Sequence, residues 1–137
     1  IIFTKTVYNL LSLWYNIPIL NDKERNYIMT QLIEKTQELL DLMQHQLHTR
    51  FEHTIDSTQY IMEPGRNFIK LIRDEDGRQS VVGFVVKKSP KALDNKTNEE
   101  FKIGDMLMAK SWKAPATNFA RGNVFEELPM RQLCFGL

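Results

Sequence analysis

The residues with the clearest chemical potential lie in one stretch, residues 101–125, which reads FKIGDMLMAKSWKAPATNFARGNVF. The stretch combines aromatic with basic side chains: Trp112 stands beside Lys113, and Phe119 stands two residues before Arg121. A cation neutralises a phosphate and a ring offers a stacking surface for a base, which is the chemistry that single-stranded nucleic acid binding requires. The stretch therefore predicts a nucleic-acid-binding surface.

The predicted site also takes in two lysines from the end of a neighbouring strand. Strand alternation is expected to project Met108, Lys110 and Trp112 from one face. A packing interpretation stays open for the same residues, because a ring near a strand end often closes a core and Arg121-Gly122 also suits the end of a helix. The predicted binding residues are Lys87, Lys88, Lys110, Trp112, Lys113, Phe119, Arg121 and Asn123.

Charge is unevenly distributed along the 137-residue chain, whose formal net charge is +1. Residues 1–63 carry 5 basic and 8 acidic side chains (−3), residues 64–123 carry 12 and 7 (+5), and residues 124–137 carry 1 and 2 (−1). Such an asymmetry favours an anionic partner for the middle segment, although a well-solvated sheet face would carry the same charge.

No residue pattern indicates a catalytic or metal centre. His45, His48 and Glu52 would share one face of a helix, the minimum for a metal site, but no second ligand-rich segment accompanies them. The acidic run at residues 74–76 is better explained as a turn. Cys134 is the single cysteine and has no histidine near it in the sequence. We therefore predict a protein that is not an enzyme and has no metal or cofactor.

Two N-terminal helices are predicted to precede the site. Residues 2–16 carry apolar side chains at helical spacing and end before Pro18. Residues 22 to about 53 form a second helix, with Asn21 as the N-cap and Glu24 in the capping-box position. A helix of about 30 residues would span about 45 Å. We therefore expect it either to break near residues 45–49 or to pack its far end on another chain.

From residue 59 the apolar period changes from helical to alternating, which predicts strands at about residues 59–62, 67–73, 79–88 and 101–112. Gly83 indicates a bulge or a close backbone approach, and Pro115 ends the last strand because proline cannot donate to a ladder. Residues 118–122 suit a single helical turn. The C-terminal apolar residues suit an irregular arm that packs on this chain or on a neighbour.

The predicted fold is a single α+β domain over residues 1–137. It divides into a helical part (1–55), a β-rich part (59–125) and a C-terminal arm (126–137). The two helices are expected to pack on a small, curved antiparallel sheet of about three to five strands, a size usual for small domains.

Four runs resemble a small, largely uncharacterised family of bacteriophage proteins. They are SVVGFVV at residues 80–86, Gly104-Asp105, MLMAKSWKAPA at residues 106–116 and ARGN at residues 120–123. The resemblance covers roughly residues 66–125, and residues 111–116 are its most specific part. The loop over residues 89–100 is longer than the family's connection, and the helical first half has no counterpart there. The resemblance implies a phage origin and a non-enzymatic or unassigned role, and it supplies no catalytic residues.

These expectations combine into a phage-encoded, non-enzymatic protein of the host cytoplasm that binds RNA or single-stranded DNA non-specifically. The long second helix, the apolar first helix and the apolar tail support an alternative: a virion structural component, or a small protein that docks on a host enzyme as an inhibitor. Self-association or a protein partner would then use the N-terminal helices or the C-terminal arm. No membrane partner is predicted, because no apolar run approaches about 18 residues.

Overall fold

The fold consists of one long helix and a four-stranded antiparallel sheet. The computed structural model describes residues 22–51, 57–87, 101–128, 131 and 133–137. The strands lie side by side in chain order, each antiparallel to the next. The predicted α+β class is therefore confirmed, whereas the first predicted helix, over residues 2–16, lies outside the described residues. The elements are α1 (Asp22–Arg50), β1 (Thr58–Pro64), β2 (Phe68–Glu75), β3 (Arg78–Val86) and β4 (Met106–Leu107).

Helix α1 runs without a break for 29 residues, so the first of the two alternatives, a break near residues 45–49, is wrong. Its C-terminal end stays regular because Leu47 is buried in the core there, and the Phe51 N–H still donates to the Leu47 carbonyl at 2.7 Å. The buried hydroxyl of Thr36 donates to the Leu32 carbonyl at 2.7 Å, which satisfies it within the helix. Seven residues of α1 form its buried stripe: Ile28, Leu32, Thr36, Leu39, Leu40, Met43 and Leu47.

The sheet has an apolar cluster on each face. Val85 of β3 belongs to the cluster that includes the α1 stripe, whereas its neighbours Phe84 and Val86 belong to a second cluster. Because alternate residues of a strand point to opposite faces, the second cluster lies on the face away from α1. Ala109 and Ala120, from the chain after β4, pack against that second cluster. The segment that follows β4 therefore covers the sheet face opposite the helix.

Gly83 lies next to a β-bulge, and other parts of the chain approach its backbone closely. A glycine inside a strand predicts one or the other of these features, and both are present. Leu71 of β2 is opposite Gly83, and the next residue of β2, Ile72, is opposite Val81, so Val82 is the extra residue. A Cβ at Gly83 would lie 2.5 Å from Cδ1 of Leu137 and 3.1 Å from the Leu107 carbonyl oxygen. Glycine is required here because a side chain would displace the buried C-terminal segment.

The acidic run at residues 74–76 forms the turn between β2 and β3, as its composition predicted. Asp76 and Gly77 have φ angles of 53° and 87°, the positive values of a two-residue turn of type I′. The Asp74 carboxylate accepts a hydrogen bond from the Gly77 N–H at 2.9 Å. These carboxylates therefore shape the hairpin between β2 and β3.

The C-terminal segment packs on this chain through the side chain of Gln46. The Gln46 Oε1 atom accepts from the N–H groups of Leu133 and Cys134 at 2.7 and 3.2 Å. Its Nε2 atom donates to the Arg131 carbonyl at 3.1 Å. Three backbone groups of this irregular segment therefore bond to one glutamine side chain of α1. In a regular sheet, a neighbouring strand would supply such partners. Among the described helices none is both long enough and apolar enough to cross a membrane.

Candidate nucleic-acid interface

The candidate interface lies on an irregular hairpin, residues 105–123, which contains β4 in its first arm. Asp105 and Asn123 pair at the base of the hairpin, and Ala109 and Pro115 pair near its tip. Between these pairs, the N–H of Arg121 donates to the carbonyl of Met106, and the N–H of Ala116 donates to that of Met108, each at 2.7 Å.

The strand predicted through Trp112 and the helical turn predicted over residues 118–122 are both wrong. Strand β4 ends at Leu107. In the second arm, four residues (117–120) separate the two donating N–H groups, those of Ala116 and Arg121. In the first arm, only Leu107 separates the two accepting carbonyls, those of Met106 and Met108. This mismatch prevents a regular ladder, and residues 118–122 form part of the irregular second arm.

The tip of the hairpin is a turn stabilised by Ser111 and Ala114. The N–H groups of Lys110 and Ser111 both donate to the Ala114 carbonyl at 3.0 Å. The Ser111 hydroxyl in turn accepts from the Ala114 N–H at 3.2 Å. Trp112 and Lys113 occupy the two central positions of this turn, where both side chains are exposed. The Ser-Trp-Lys-Ala run is therefore the outermost part of the hairpin rather than the end of a strand.

The Trp112 ring is held by a cation from another element. The Lys70 Nζ atom lies 4.4 Å from the centroid of the indole, within the range of a cation–π contact. Lys70 is paired with Phe84, and Phe84 with Leu107, so all three side chains belong to one row on the face opposite α1. The tip of the hairpin therefore reaches back over the sheet to β2.

A second cation–ring contact lies on the hairpin itself. The Cζ atom of Arg121 lies 4.1 Å from the centroid of the Phe119 ring. One guanidinium nitrogen of Arg121 also donates to the Met108 sulfur at 3.5 Å. The rings of Phe119 and Trp112 are 44% and 41% exposed, and Met108 is 36% exposed. Each ring thus has its own cation and still offers surface to a ligand.

The cations of this surface have no acidic partner in the described part of the chain. The two ion pairs found there, Arg25 with Asp22 and Lys35 with Glu38, both belong to α1. No carboxylate oxygen of the described residues lies within 4.0 Å of the charged nitrogens of the hairpin or of Lys70. Within the described ranges, no ion pair therefore neutralises the positive charge of the hairpin.

The one acidic residue of the hairpin, Asp105, faces inward. Its carboxylate accepts from the Lys102 N–H at 2.8 Å and from the Asn123 side-chain amide at 2.9 Å. Burial raises the pKa of Asp105 above its usual value, and the two hydrogen bonds oppose that shift. Asp105 supports the base of the hairpin and does not neutralise the cations near its tip.

Asn123 has a structural position instead of the predicted place on the surface. It is 5% exposed, and its amide also donates to the Ile103 carbonyl at 3.0 Å. The Asn123 Oδ1 atom accepts from the Phe125 N–H at 2.8 Å. Because every polar atom of this side chain is engaged within the fold, we leave Asn123 out of the interface.

Of the two lysines predicted after β3, Lys87 does not join the hairpin surface. The Lys87 ammonium donates to the Gly65 carbonyl at 3.1 Å, beside the turn between β1 and β2. Lys88 lies outside the described residues. The structure therefore brings together five of the predicted residues on the hairpin: Lys110, Trp112, Lys113, Phe119 and Arg121.

Sequence reasoning missed Lys70 and left Met108 out of the site. Lys70 lies between Phe68 and Ile72 on one face of a strand, a position where a lysine interrupts an apolar row. A long lysine stem can cover apolar surface while its ammonium finds a ring, so this interruption was the available signal. Met108 shares the predicted strand face with Trp112, but nothing in its spacing indicates a contact with Arg121.

Comparison of the chain with protein-family models, with curated proteins and with solved structures found no match. Within the described residues, no group of three or more histidine, cysteine, aspartate or glutamate side chains could hold a metal ion. The chemistry of the hairpin must therefore be judged from its own geometry.

Proposed function

We propose that this protein binds single-stranded RNA or DNA without sequence preference through the surface of its hairpin. The single observation that carries the proposal is the combination of two half-exposed rings with cations that have no carboxylate partner among the described residues. The binding residues are Lys70, Met108, Lys110, Trp112, Lys113, Phe119 and Arg121.

The two kinds of side chain have separate roles in this proposal. A base stacks on the ring face that is not covered by the protein's own cation, and such stacking contributes about 1–3 kcal/mol per base. Lys110 and Lys113 flank Trp112 at the tip and neutralise phosphates next to a stacked base. The Arg121 guanidinium lies over the Phe119 ring, and no carboxylate of the described residues pairs with it, so its charge can attract a phosphate.

The sheet positions these groups without sequence-reading contacts. Every base has a π-face, and every nucleotide has a phosphate, so rings and cations alone bind many sequences. The proposed binding residues carry no carboxylate or amide to read the edges of adenine or cytosine, and their arginine and lysines can contact guanine as well as any phosphate. This composition supports non-specific binding.

Binding is tested by the fluorescence anisotropy of a labelled, mixed-sequence oligonucleotide of about 16 nucleotides, the upper end of a typical single-strand site. We expect saturable binding at low salt. Trp112→Ala and Arg121→Ala should each weaken it by about tenfold, because each removes on the order of 1.4 kcal/mol. No binding at low salt, or affinity unchanged in the double variant, would reject the proposal.

The chain offers matched controls for both substitutions. Phe135 is 55% exposed and lies outside the hairpin, so Phe135→Ala tests whether any exposed ring matters. Arg25 lies at the exposed start of α1, so Arg25→Ala tests whether any cation matters. Both control variants should bind the oligonucleotide like the unmodified protein, and a matching loss in either would indicate a general effect.

The resemblance of roughly residues 66–125 to bacteriophage proteins supports a phage-encoded protein that acts in the host cytoplasm during infection. RNA and single-stranded DNA are both present there, so the resemblance does not choose between them. Competition between unlabelled RNA and DNA strands of one sequence in the same assay measures the preference directly.

A protein partner is the second candidate, and one surface feature favours it. Phe51 and Phe135 meet edge to face with ring centroids 6.2 Å apart, and the Arg50 guanidinium lies 6.0 and 5.6 Å from them. Aromatic and arginine side chains dominate protein interfaces. Sedimentation of the protein alone tests self-association: a Phe135-dependent dimer would support this candidate, and a monomer would count against self-association through this corner.

A further inference from the structure

Among the described strands, β1 lies at one edge of the sheet, so half of its backbone groups face away from β2. In an antiparallel pair, alternate residues direct their N–H and C=O groups outward. The outward residues of β1 are Thr58, Tyr60, Met62 and Pro64. Such an edge is a template for pairing with another chain unless it is blocked.

The side chain of Gln44 occupies the first part of this edge. Its Oε1 atom accepts from the Tyr60 N–H at 3.1 Å, and its Nε2 atom donates to the Thr58 carbonyl at 2.8 Å. One side-chain amide therefore supplies the acceptor and the donor that the backbone of a neighbouring strand would supply. The backbone of β1 also determines the orientation of the amide. The reverse orientation would place the amide nitrogen against the Tyr60 N–H, donor against donor, and the amide oxygen against the Thr58 carbonyl, acceptor against acceptor.

His48 holds the same amide from one turn further along α1. The Nε2 atoms of Gln44 and His48 lie 2.6 Å apart, and the amide nitrogen has a second hydrogen to donate. The ring nitrogen must then accept, which places the proton of a neutral ring on Nδ1. Gln44 is thus fixed by three partners, two on β1 and one on its own helix.

Pro64 closes the other end of the edge, because proline has no N–H to offer a neighbouring strand. Between the two blocked ends, Met62 keeps an outward N–H, and the described residues supply no hydrogen bond to it. A strand added along β1 would need the groups of Thr58 and Tyr60 as well, since one residue alone makes too short a ladder. The state of Gln44 therefore decides whether the edge can pair.

We propose that Gln44 is a plug that prevents the β1 edge from pairing with the β1 edge of a second copy of this chain. A second copy is the fitting occupant because two identical edges can pair antiparallel about a two-fold axis, which exposes the same outward groups to each other. Removal of the amide frees Tyr60 N–H and Thr58 C=O without changing any residue of the strand. The proposal is independent of nucleic acid binding, because β1 contributes no residue to the hairpin surface.

The test is Gln44→Met, which keeps the length and helix propensity of the side chain and removes both hydrogen-bonding atoms. Sedimentation velocity over a concentration series should show a monomer for the unmodified protein and a reversible dimer for the variant. Gln37→Met is the matched control, because Gln37 bonds only to Asp41 on the exposed side of the same helix. A Gln44→Met protein that stays monomeric at every concentration, with Tyr60 exposed to exchange, overturns the proposal.

Hydrogen exchange of the unmodified protein provides a test that needs no variant. The Tyr60 amide should exchange at least about tenfold more slowly than the Met62 amide, although both belong to the edge of the sheet, because only Tyr60 has a partner there. In the Gln44→Met dimer both amides should become protected. Equal exchange of Tyr60 and Met62 in the unmodified protein would show that the plug does not close the edge.

Discussion

At the scale of the residue, Lys70 shows how one side chain links the sheet to the candidate interface. Its stem lies in an apolar row of β2, and its ammonium lies over the face of Trp112. The contact orders an exposed indole that would otherwise lose conformational freedom only when a ligand binds. Lys70 therefore acts on binding by holding the ring in position as well as by its charge.

We expect Lys70 and Trp112 to be energetically coupled. In a double-mutant cycle of Lys70→Met and Trp112→Leu, urea unfolding should give a coupling of about 0.5–1 kcal/mol, the range of an exposed cation–π contact. The same cycle with Lys23→Met, at the start of α1, should be additive within about 0.3 kcal/mol. Additivity of the Lys70 cycle would mean that the contact contributes nothing to the folded state.

Tyr60 is the buried residue whose ionisation reports on the C-terminal segment. Its hydroxyl donates to the Cys134 carbonyl at 2.6 Å. Burial, followed by the nearby Cys134, raises the pKa of Tyr60 to about 12. The folded state therefore holds the phenol proton more tightly than the unfolded state does, whose tyrosines titrate near their usual value of about 10.

This shift predicts a loss of stability at high pH. The contribution of Tyr60 is complete below pH 10 and is lost as the pH rises through about 12, because the unfolded state releases its proton first. Tyr60→Phe should remove a step near pH 12 from the phenolate absorbance titration of the unmodified protein. A step near pH 12 that survives in Tyr60→Phe would contradict this assignment.

At the scale of the element, the hairpin depends on its base for its shape. Asn123 connects the Ile103 carbonyl, the Asp105 carboxylate and the Phe125 N–H. These bonds hold the base closed where the second arm leaves the first. The tip that carries Trp112 can stay exposed because the hairpin is anchored at its base and by the two alanines packed on the sheet.

Asn123→Ala should therefore act on folding rather than directly on a ligand. We expect it to lower the free energy of unfolding by about 2 kcal/mol or more, because buried polar partners lose their bonds. Asn118→Ala, which removes an exposed amide, should cost less than about 0.5 kcal/mol. Urea unfolding of both variants measures the difference. If Asn123→Ala left the free energy of unfolding unchanged and weakened oligonucleotide binding, Asn123 would belong to the interface.

At the scale of the whole molecule, positive charge is concentrated on the hairpin. The net charge of the chain is only +1, yet the hairpin carries three cations, with its single carboxylate buried. The ion pairs of the described residues lie on α1, across the sheet from the second apolar cluster that the hairpin covers. In the described part of the chain, the unpaired cations of the hairpin and the ion pairs of α1 therefore lie on opposite faces of the sheet.

This separation predicts the salt dependence of oligonucleotide binding. Three or four phosphate contacts should give a slope of log Kobs against log[salt] of about −2 to −3 for a single strand. Replacement of Lys110 and Lys113 by glutamine should reduce the magnitude of that slope by about 1.4, and Arg25→Gln should leave it unchanged. A slope near zero would mean that the cations do not contact phosphates.

The second of the two predicted helices, the approximate positions of strands β1 to β3 and the hairpin turn at residues 74–77 could be predicted from the sequence. They follow from local rules: apolar spacing, β-branched alternation and the preference of Asp-Gly for positive φ. The bulge at Gly83 follows from a similar local rule, because a glycine inside a strand commonly marks a bulge or a close backbone approach. The residue types of the interface were also present in the sequence, as rings beside cations.

The hairpin and its contacts were decided only by the tertiary structure. Residues 106–112 have the alternation of a strand, but their partner arm contains extra residues, and no local rule counts residues across a distant pairing. Lys70 and Trp112 are far apart in the sequence and meet because the tip folds back over β2. Asparagine is a residue type that often contacts ligands at a surface. Asn123 is instead buried, because its side chain bonds to the Asp105 carboxylate and the Phe125 N–H. Sequence alone determined which groups were available, whereas packing decided which of them face solvent.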